Sequence, residues 1–414
     1  WQKNRQFMTN HRWYPTMITQ GDGDLFIASG VARLIYNYSG QNVNETETFD
    51  PQTGSVKLNR GESATSLPLF PRLHLMPDGK IFYDGVGQMW GPFGQAIDEA
   101  LWAMHKAYDP KKKTWTTYGM GPYGARSGAL SVLMPLQPPY KRARILIAGG
   151  TLGSSPGSYV ANDLSEIVTV GKNGSSSAET EPMVNRRWYS SSVLLPNGHV
   201  LAFSGADRDE VVLPGSESPV RQAELFNGKR WLPLATAKRV RTYHNTAILL
   251  PDGRVLVGGH SPINNSYGPT GDNSTQPVTG TNNLKDPSFE IFEPPYLFHG
   301  PRPSIASVQE GLAWGHAFSI GSPDATDVEK VVLSRLPTTT HITDADQRSV
   351  ELDFNASGNT ITTSVPGNHN VLPPGYYYLW ILTDNGEGLT PSKARIVTVG
   401  GSEVGGQAVA PMGR

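Results

Sequence analysis

The sequence contains no cysteine. That excludes disulfides, zinc–thiolate sites, iron–sulfur clusters and thiol nucleophiles among these 414 residues. No apolar run reaches the length of a membrane-spanning helix. An excess of one charge is also missing. The 35 basic residues balance 36 acidic ones without a basic block, which leaves no electrostatic footprint for nucleic acid. Helical periodicity is scarce, and the best stretch is Ala96 to Ala107, with Ile97, Leu101 and Met104 or His105 in step. There is no starting Met and no leader; the chain opens on Trp1, as a processed or partial product would. Glycine, proline and aromatic rings are plentiful, with 9 Trp, 16 Tyr and 13 Phe. That many rings need a packed core, so a disordered chain is excluded.

A repeat runs through the first two thirds. Arg12-Trp13-Tyr14-Pro15-Thr16 precedes Asp22-Gly23 and an apolar run ending at Gly30. Arg187-Trp188-Tyr189-Ser190 precedes Asn197-Gly198 and a run ending at Gly205. Arg241-Thr242-Tyr243-His244 precedes Asp252-Gly253 and a run ending at Gly258-Gly259. A weaker copy has Arg72, His74, Asp78-Gly79 and a run to Gly85; another keeps only its second strand, Arg144 to Gly150. The period is about 56 residues, close to the roughly 50 of a kelch blade. Asp-Gly and Asn-Gly turns between apolar runs signal hairpins. The paired glycines predict a close approach of two backbones. Tyr108-Asp109-Pro110 with Trp115, Phe49-Asp50-Pro51, and Phe226 with Trp231 predict the outer strands of their units. Four antiparallel strands per unit, repeated around an axis, make a β-propeller.

The fold class is therefore all-β. Residues 1–290 read as a kelch-type propeller with five blades visible, and Trp1 to Met8 reads as the end of a preceding blade. After Phe292-Glu293-Pro294-Pro295 the repeat stops. Short alternating runs separated by turn residues predict an immunoglobulin-like β-sandwich over 291–400. Residues 401–414, rich in glycine, read as a flexible tail.

Tyr243-His244 and the remote His341 are candidate metal ligands. Neighbouring residues on a regular strand face opposite ways, so both Tyr243 and His244 reach one ion only at a strand end or a bulge. By spacing alone a core tyrosine, a satisfied histidine and a loop histidine are the favoured reading. His74, His260 and His316 have no partner at metal spacing and read as structural. Sequons stand at Asn37, Asn44, Asn173, Asn264, Asn273 and Asn355.

The blade pattern, the segment from Arg241-Thr242-Tyr243-His244 to Asp252-Gly253-Arg254-Val255, and the loop His341 to Asp346-Gln347-Arg348 resemble the galactose oxidase and glyoxal oxidase family of copper radical oxidases. So does the run Pro373-Pro374-Gly375-Tyr376-Tyr377. The resemblance covers almost the whole chain. It implies a seven-bladed propeller, of which these five would be blades three to seven, capped by the sandwich domain. It implies copper held by His244, His341 and an axial Tyr243 that also takes the substrate's hydroxyl proton. It places the equatorial tyrosine, cross-linked to a cysteine as the radical cofactor, upstream of Trp1. A separate N-terminal polypeptide or a preceding segment would complete the ring. Trp90 is the candidate for the indole that stacks on that tyrosine. The implied activity is oxidation of an aldehyde or primary alcohol, or a carbohydrate, by O2 with release of H2O2, in a secreted protein without a membrane span. A non-catalytic kelch propeller that binds a glycan or a surface partner is the alternative.

Overall fold

The computed structural model describes residues 6–32, 42–89, 100–153, 159–209, 218–262 and 285–400. Five antiparallel sheets follow one another along the chain, each a meander. The first has Thr16–Thr19, Leu25–Ala28, Glu47–Asp50 and Ser55–Leu58. The second has Leu73–Leu75, Ile81–Tyr83, Met104–Asp109 and Thr114–Met120. The third has Leu130–Leu133, Ala143–Ala148, Ser165–Gly171 and Gly174–Glu179, so the copy expected to keep one inner strand has both. The fourth has Ser191–Leu194, Val200–Phe203, Gln222–Phe226 and Trp231–Thr236, and the fifth has Thr246–Leu249, Val255–Gly258 and Phe289–Phe292.

Ala96–Ala107, the stretch with the best helical period, is not a helix where the chain is described. Only residues 100–102 are helical, and Met104–Asp109 is a strand paired on both sides. Ladders on one side along the strand and on the other at Lys106–Tyr108 take up backbone groups there, which outweighs a weak helical period. Residues 401–414 lie outside the described residues.

A buried clasp repeats from sheet to sheet. Arg12, Arg126 and Arg187 reach from just before an inner strand to Glu47, Glu166 and Glu224 on the third strand. Arg241 makes a looser contact, 3.5 Å, with Glu290. The weak copy does not conform: Arg72 donates to the Phe70 carbonyl, and Leu69 pairs with Gln88 where Trp13, Trp188 and Ser127 pair in theirs. The glycines do bring backbones together. A Cβ on Gly149, Gly205 or Gly259 would lie 2.5, 2.4 and 2.5 Å from the carbonyl oxygens of Arg187, Trp188 and His244.

The fifth sheet has three strands, and its last one exposes Phe289 and Ile291. Among the described residues Thr16–Thr19 pairs only with Leu25–Ala28, and Thr246–Leu249 only with Val255–Gly258. Thr16–Thr19 packs beside Leu73–Leu75, and Thr246–Leu249 beside Ser191–Leu194, but among the described residues the first and fifth inner strands are not packed side by side in the same way, so the ring of blades is not closed between those two sheets.

The sandwich follows. One sheet holds Ser307–Val308, Ala317–Gly321, Thr360–Ser364 and Phe354–Ser357. The other is built on Gly375–Asp384, flanked by Val328–Arg335 and Arg395–Val399. Val332, Trp380 and Leu382 share one apolar cluster with Val193, Leu201, Leu249 and Val257 of the fourth and fifth blades. Val350 and Leu333 share another with Leu133 and Leu136 of the third. Continuous apolar packing across this boundary holds the sandwich against the inner strands, which is what lets one of its hairpins carry a functional side chain into the propeller.

Candidate metal centre

Each blade turns sharply just before its inner strand. Tyr14, Phe70, Gly128, Tyr189 and His244 hold φ values of 63°, 43°, 64°, 61° and 54°, the left-handed region. Four of the five carry side chains, so the conformation costs energy that the surrounding bonds must offset. Phe70 N–H donates to the Tyr14 carbonyl, and Tyr189 N–H to that of Gly128. The turns aim side chains at a shared centre: Tyr14 and Phe70 rings lie 4.4 Å apart.

His341 enters that centre from the sandwich. It sits at the tip of the hairpin joining Val328–Arg335 to Ser349–Leu352, at φ 48°. Its ring lies 4.6 Å from Tyr14, 4.6 Å from Phe70 and 4.9 Å from His244, and is nearly perpendicular to the last, at 85°. His341 Nε2 is 3.1 Å from Tyr14 Oη. Tyr243 precedes His244 with rings 4.0 Å apart. Neither is in the inner strand, which begins at Thr246; the left-handed turn at the strand end is what allows both to face one point.

The aromatic wall is Trp188 and Tyr189. Trp188 lies parallel to Tyr243 at 6.0 Å, and Tyr189 lies 4.5 Å from it. Gln88 Nε2–H donates to Tyr243 Oη at 3.2 Å. Tyr243 and Trp188 have no solvent exposure.

The electrostatics favour neutral imidazoles. Burial, with the nearby His244 and Arg72, pulls His341 down to about 4. Burial lowers His244 as well, against the opposing pull of the Ser261 carbonyl. That carbonyl accepts from His244 Nδ1 at 2.6 Å; a carbonyl cannot donate, so Nδ1 carries the proton and Nε2 keeps its lone pair. Burial pushes the phenols of Tyr243 and Tyr189 well above the ordinary tyrosine range. An ionised phenol here therefore requires a cation beside it. Two neutral imidazoles and two phenols make a nitrogen and oxygen donor set suited to Cu(II). Among the described residues no group of three or more histidines, cysteines and carboxylates converges, so His244, His341 and the tyrosines are the candidate centre.

Other sites resolve simply. His74 pairs with Asp84 and Ser131, each at 3.0 Å, and His260 Nδ1 accepts from the Thr242 N–H, in keeping with structural roles. Trp90 lies outside the described residues. Tyr14 carried no signal of its own in a reading by motif. Aligning Arg12-Trp13-Tyr14 with Arg187-Trp188-Tyr189 and with the segment ending at His244 would have put it in the same slot as a ligand.

Residues 1–296 match the family described as glyoxal oxidase N-terminus. The chain belongs to the glyoxal oxidase family. Residues 302–399 match the galactose oxidase-like Early set domain. A curated aldehyde oxidase from Vitis pseudoreticulata is 28% identical over 89% of this chain and 69% of its own length. A galactose oxidase from Gibberella zeae is 29% identical over 60% of this chain and 35% of its length. A WSC domain-containing protein from Arthroderma benhamiae is 26% identical over 95% of this chain, which spans 40% of that protein. A solved fungal alcohol oxidase of the AA5 family, in complex with copper, shares the fold with a TM-score of 0.76 at 21% identity, covering 95% of this chain and 76% of that one. The glyoxal oxidase relatives thus extend beyond the stretch described by this sequence.

Proposed function

We propose that this chain carries the copper centre of an oxidase that converts an aldehyde hydrate to the acid, or a primary alcohol to the aldehyde, while O2 becomes H2O2. The observation that carries the reading is the convergence of His244, His341, Tyr14 and Tyr243, residues from the first and fifth blades and the sandwich. His244 and His341 would hold the metal through Nε2, with the two phenols as oxygen donors. Copper supplies redox chemistry and a positive charge that lowers the acidity barrier of a bound hydroxyl.

The chain's residues do the rest. Ionised beside the metal's charge, Tyr243 Oη would accept the hydroxyl proton of the substrate, and Gln88 Nε2–H donates to the same oxygen. Trp188 and Tyr189 close that side of the centre and keep water from Tyr243. Tyr14, whose Oη lies 3.1 Å from His341 Nε2, would supply the second phenol, which the family resemblance had put upstream of Trp1. Any cysteine cross-linked to it is not among these 414 residues. The two further blades expected of the ring come from a preceding segment or a separate polypeptide, against the open edges of the first and fifth sheets. An extracellular location belongs to this reading, and three of the sequons, at Asn44, Asn173 and Asn355, are exposed.

The test is copper loading followed by a peroxide-coupled assay with small aldehydes and primary alcohols. One tightly bound copper with peroxide release supports the oxidase. A second reading is a copper site without radical chemistry, which would bind the metal and release no peroxide with any substrate. Failure to bind copper at all rejects both and leaves a binding propeller.

A further inference from the structure

Asp346-Gln347-Arg348, singled out in the sequence only as part of a motif, does a specific mechanical task. Thr19, Leu75 and Leu133 are the last residues of the inner strands of the first, second and third blades. The Asp346 carboxylate accepts from Thr19 N–H at 2.8 Å and from its hydroxyl at 2.6 Å. The Gln347 amide forms a closed pair with the backbone of one residue, accepting from Leu133 N–H at 3.0 Å and donating to the Leu133 carbonyl at 3.1 Å. Arg348 donates to the Leu75 carbonyl at 2.6 Å and, with its other nitrogen, to the carbonyls of Asn370 and Val371. Three consecutive side chains thus grip three blades.

The residue types match the tasks. A primary amide pairs with a peptide through one donor and one acceptor. A carboxylate accepts twice, and a guanidinium fork spans two chains. The rest of the hairpin is stiff. Thr340 and Thr343 exchange two backbone bonds of 2.9 and 2.8 Å, the Asp344 carboxylate accepts from Thr338 N–H and hydroxyl at 3.2 Å each, and Gln347 N–H donates to the Asp344 carbonyl. His341 rides on the tip of this braced loop.

We infer that Asp346, Gln347 and Arg348 are positioning residues that register the His341 hairpin against three blades and so set where its imidazole stands relative to Tyr14 and His244. The inference rests on the reading of His341 as a metal ligand. It explains why the loop meets the propeller through inner-strand ends: those ends are fixed relative to the turns that carry Tyr14 and Phe70, so an anchor there transmits blade geometry to the histidine. Supporting side chains of ligands typically affect metal affinity about 10- to 100-fold.

The experiment compares the full chain with Gln347→Met, which keeps length and loses the paired bonds, and with Val331→Ala, a core control in the sandwich. Three quantities are read: copper affinity by chelator competition, the Cu(II) paramagnetic resonance spectrum, and amide exchange of the 338–348 peptide without metal. In Gln347→Met, copper should bind at least tenfold more weakly, its spectrum should shift, and the loop amides should exchange at least tenfold faster. Val331→Ala should lower thermal stability and leave all three unchanged. An unaltered loop exchange in Gln347→Met overturns the inference, as does copper affinity within twofold of the parent with an unshifted spectrum. His341→Ala separates the two ideas: if its copper spectrum matches the parent, the ligand reading fails, and exchange in Gln347→Met then decides the anchoring by itself.

Discussion

Removing Glu224 tests whether the buried clasps hold the wall of the metal centre. The carboxylate accepts from Arg187, from the N–H groups of Val184 and Asn185 and from the Asn185 amide. Both charged side chains have no exposure. Glu224→Ala would leave a guanidinium buried without its counter-ion, a change that costs about 3–5 kcal/mol. Glu290→Ala breaks the equivalent clasp in the fifth blade. There the contact is 3.5 Å and the carboxylate is 26% exposed, and the buried Arg241 also donates to the Gly259 carbonyl and the Ser288 hydroxyl, so the loss should be smaller than for Glu224→Ala. Glu224→Gln keeps one oxygen for Arg187 and Asn185 but loses the charge and the acceptor of the Val184 N–H, so it should fall between them. Urea unfolding monitored by tryptophan fluorescence reads the difference as a shift in midpoint. Because Arg187 leads directly into Trp188 and Tyr189, copper loading of the Glu224→Ala chain should also fall. Equal midpoints for Glu224→Ala and Glu290→Ala would refute the idea that burial of the clasp decides its worth.

The remaining predictions concern the centre. His244→Ala and His341→Ala should each abolish stoichiometric copper binding, measured by metal analysis after desalting; full retention in either removes that residue from the site. Tyr243→Phe should keep the metal and lose turnover, and parent-like peroxide release would remove Tyr243 from the proton-accepting role. Gly259→Ala should both destabilise and weaken copper binding, because a Cβ there meets the His244 carbonyl at 2.5 Å. Gly228→Ala, at φ 93° with nothing within 4 Å, should cost only the left-handed strain of about 1–2 kcal/mol and leave copper untouched. His341 binds its proton more weakly in the fold than when unfolded, so its contribution is full above about 6.5 and is lost as pH falls toward about 4. Metal-free protein should therefore lose stability on acidification through that window, and His341→Gln should flatten the slope; an unchanged pH profile of the melting temperature would contradict the assigned burial.

Much of the fold was legible because hairpins are local. Asp22-Gly23, Asn197-Gly198 and Asp252-Gly253 mark turns whatever surrounds them, and the paired glycines mark backbone contacts that admit no Cβ. The family motifs led to Tyr243, His244 and His341, though spacing by itself favoured a bland reading. What could not be read was any property made by residues distant in sequence. The Arg–Glu clasps join residues 35 to 49 apart, with nothing in the intervening chain to flag them. Arg72 stands one residue before its strand and not four or five as Arg12, Arg126, Arg187 and Arg241 do, and only the strand boundaries show that it is not the repeat arginine. Ala96–Ala107 carries a helical period, but Met104–Asp109 finds ladder partners on two sides, and only the assembled sheet shows that. Tyr14 became a candidate ligand only when a hairpin tip more than 300 residues away was set against it. The sequence by itself determined the local turns, the blade repeat and the chemistry of the donors; the tertiary structure decided which donors meet, because a left-handed turn before each inner strand and a hairpin gripped by three blades aim side chains that no spacing rule connects.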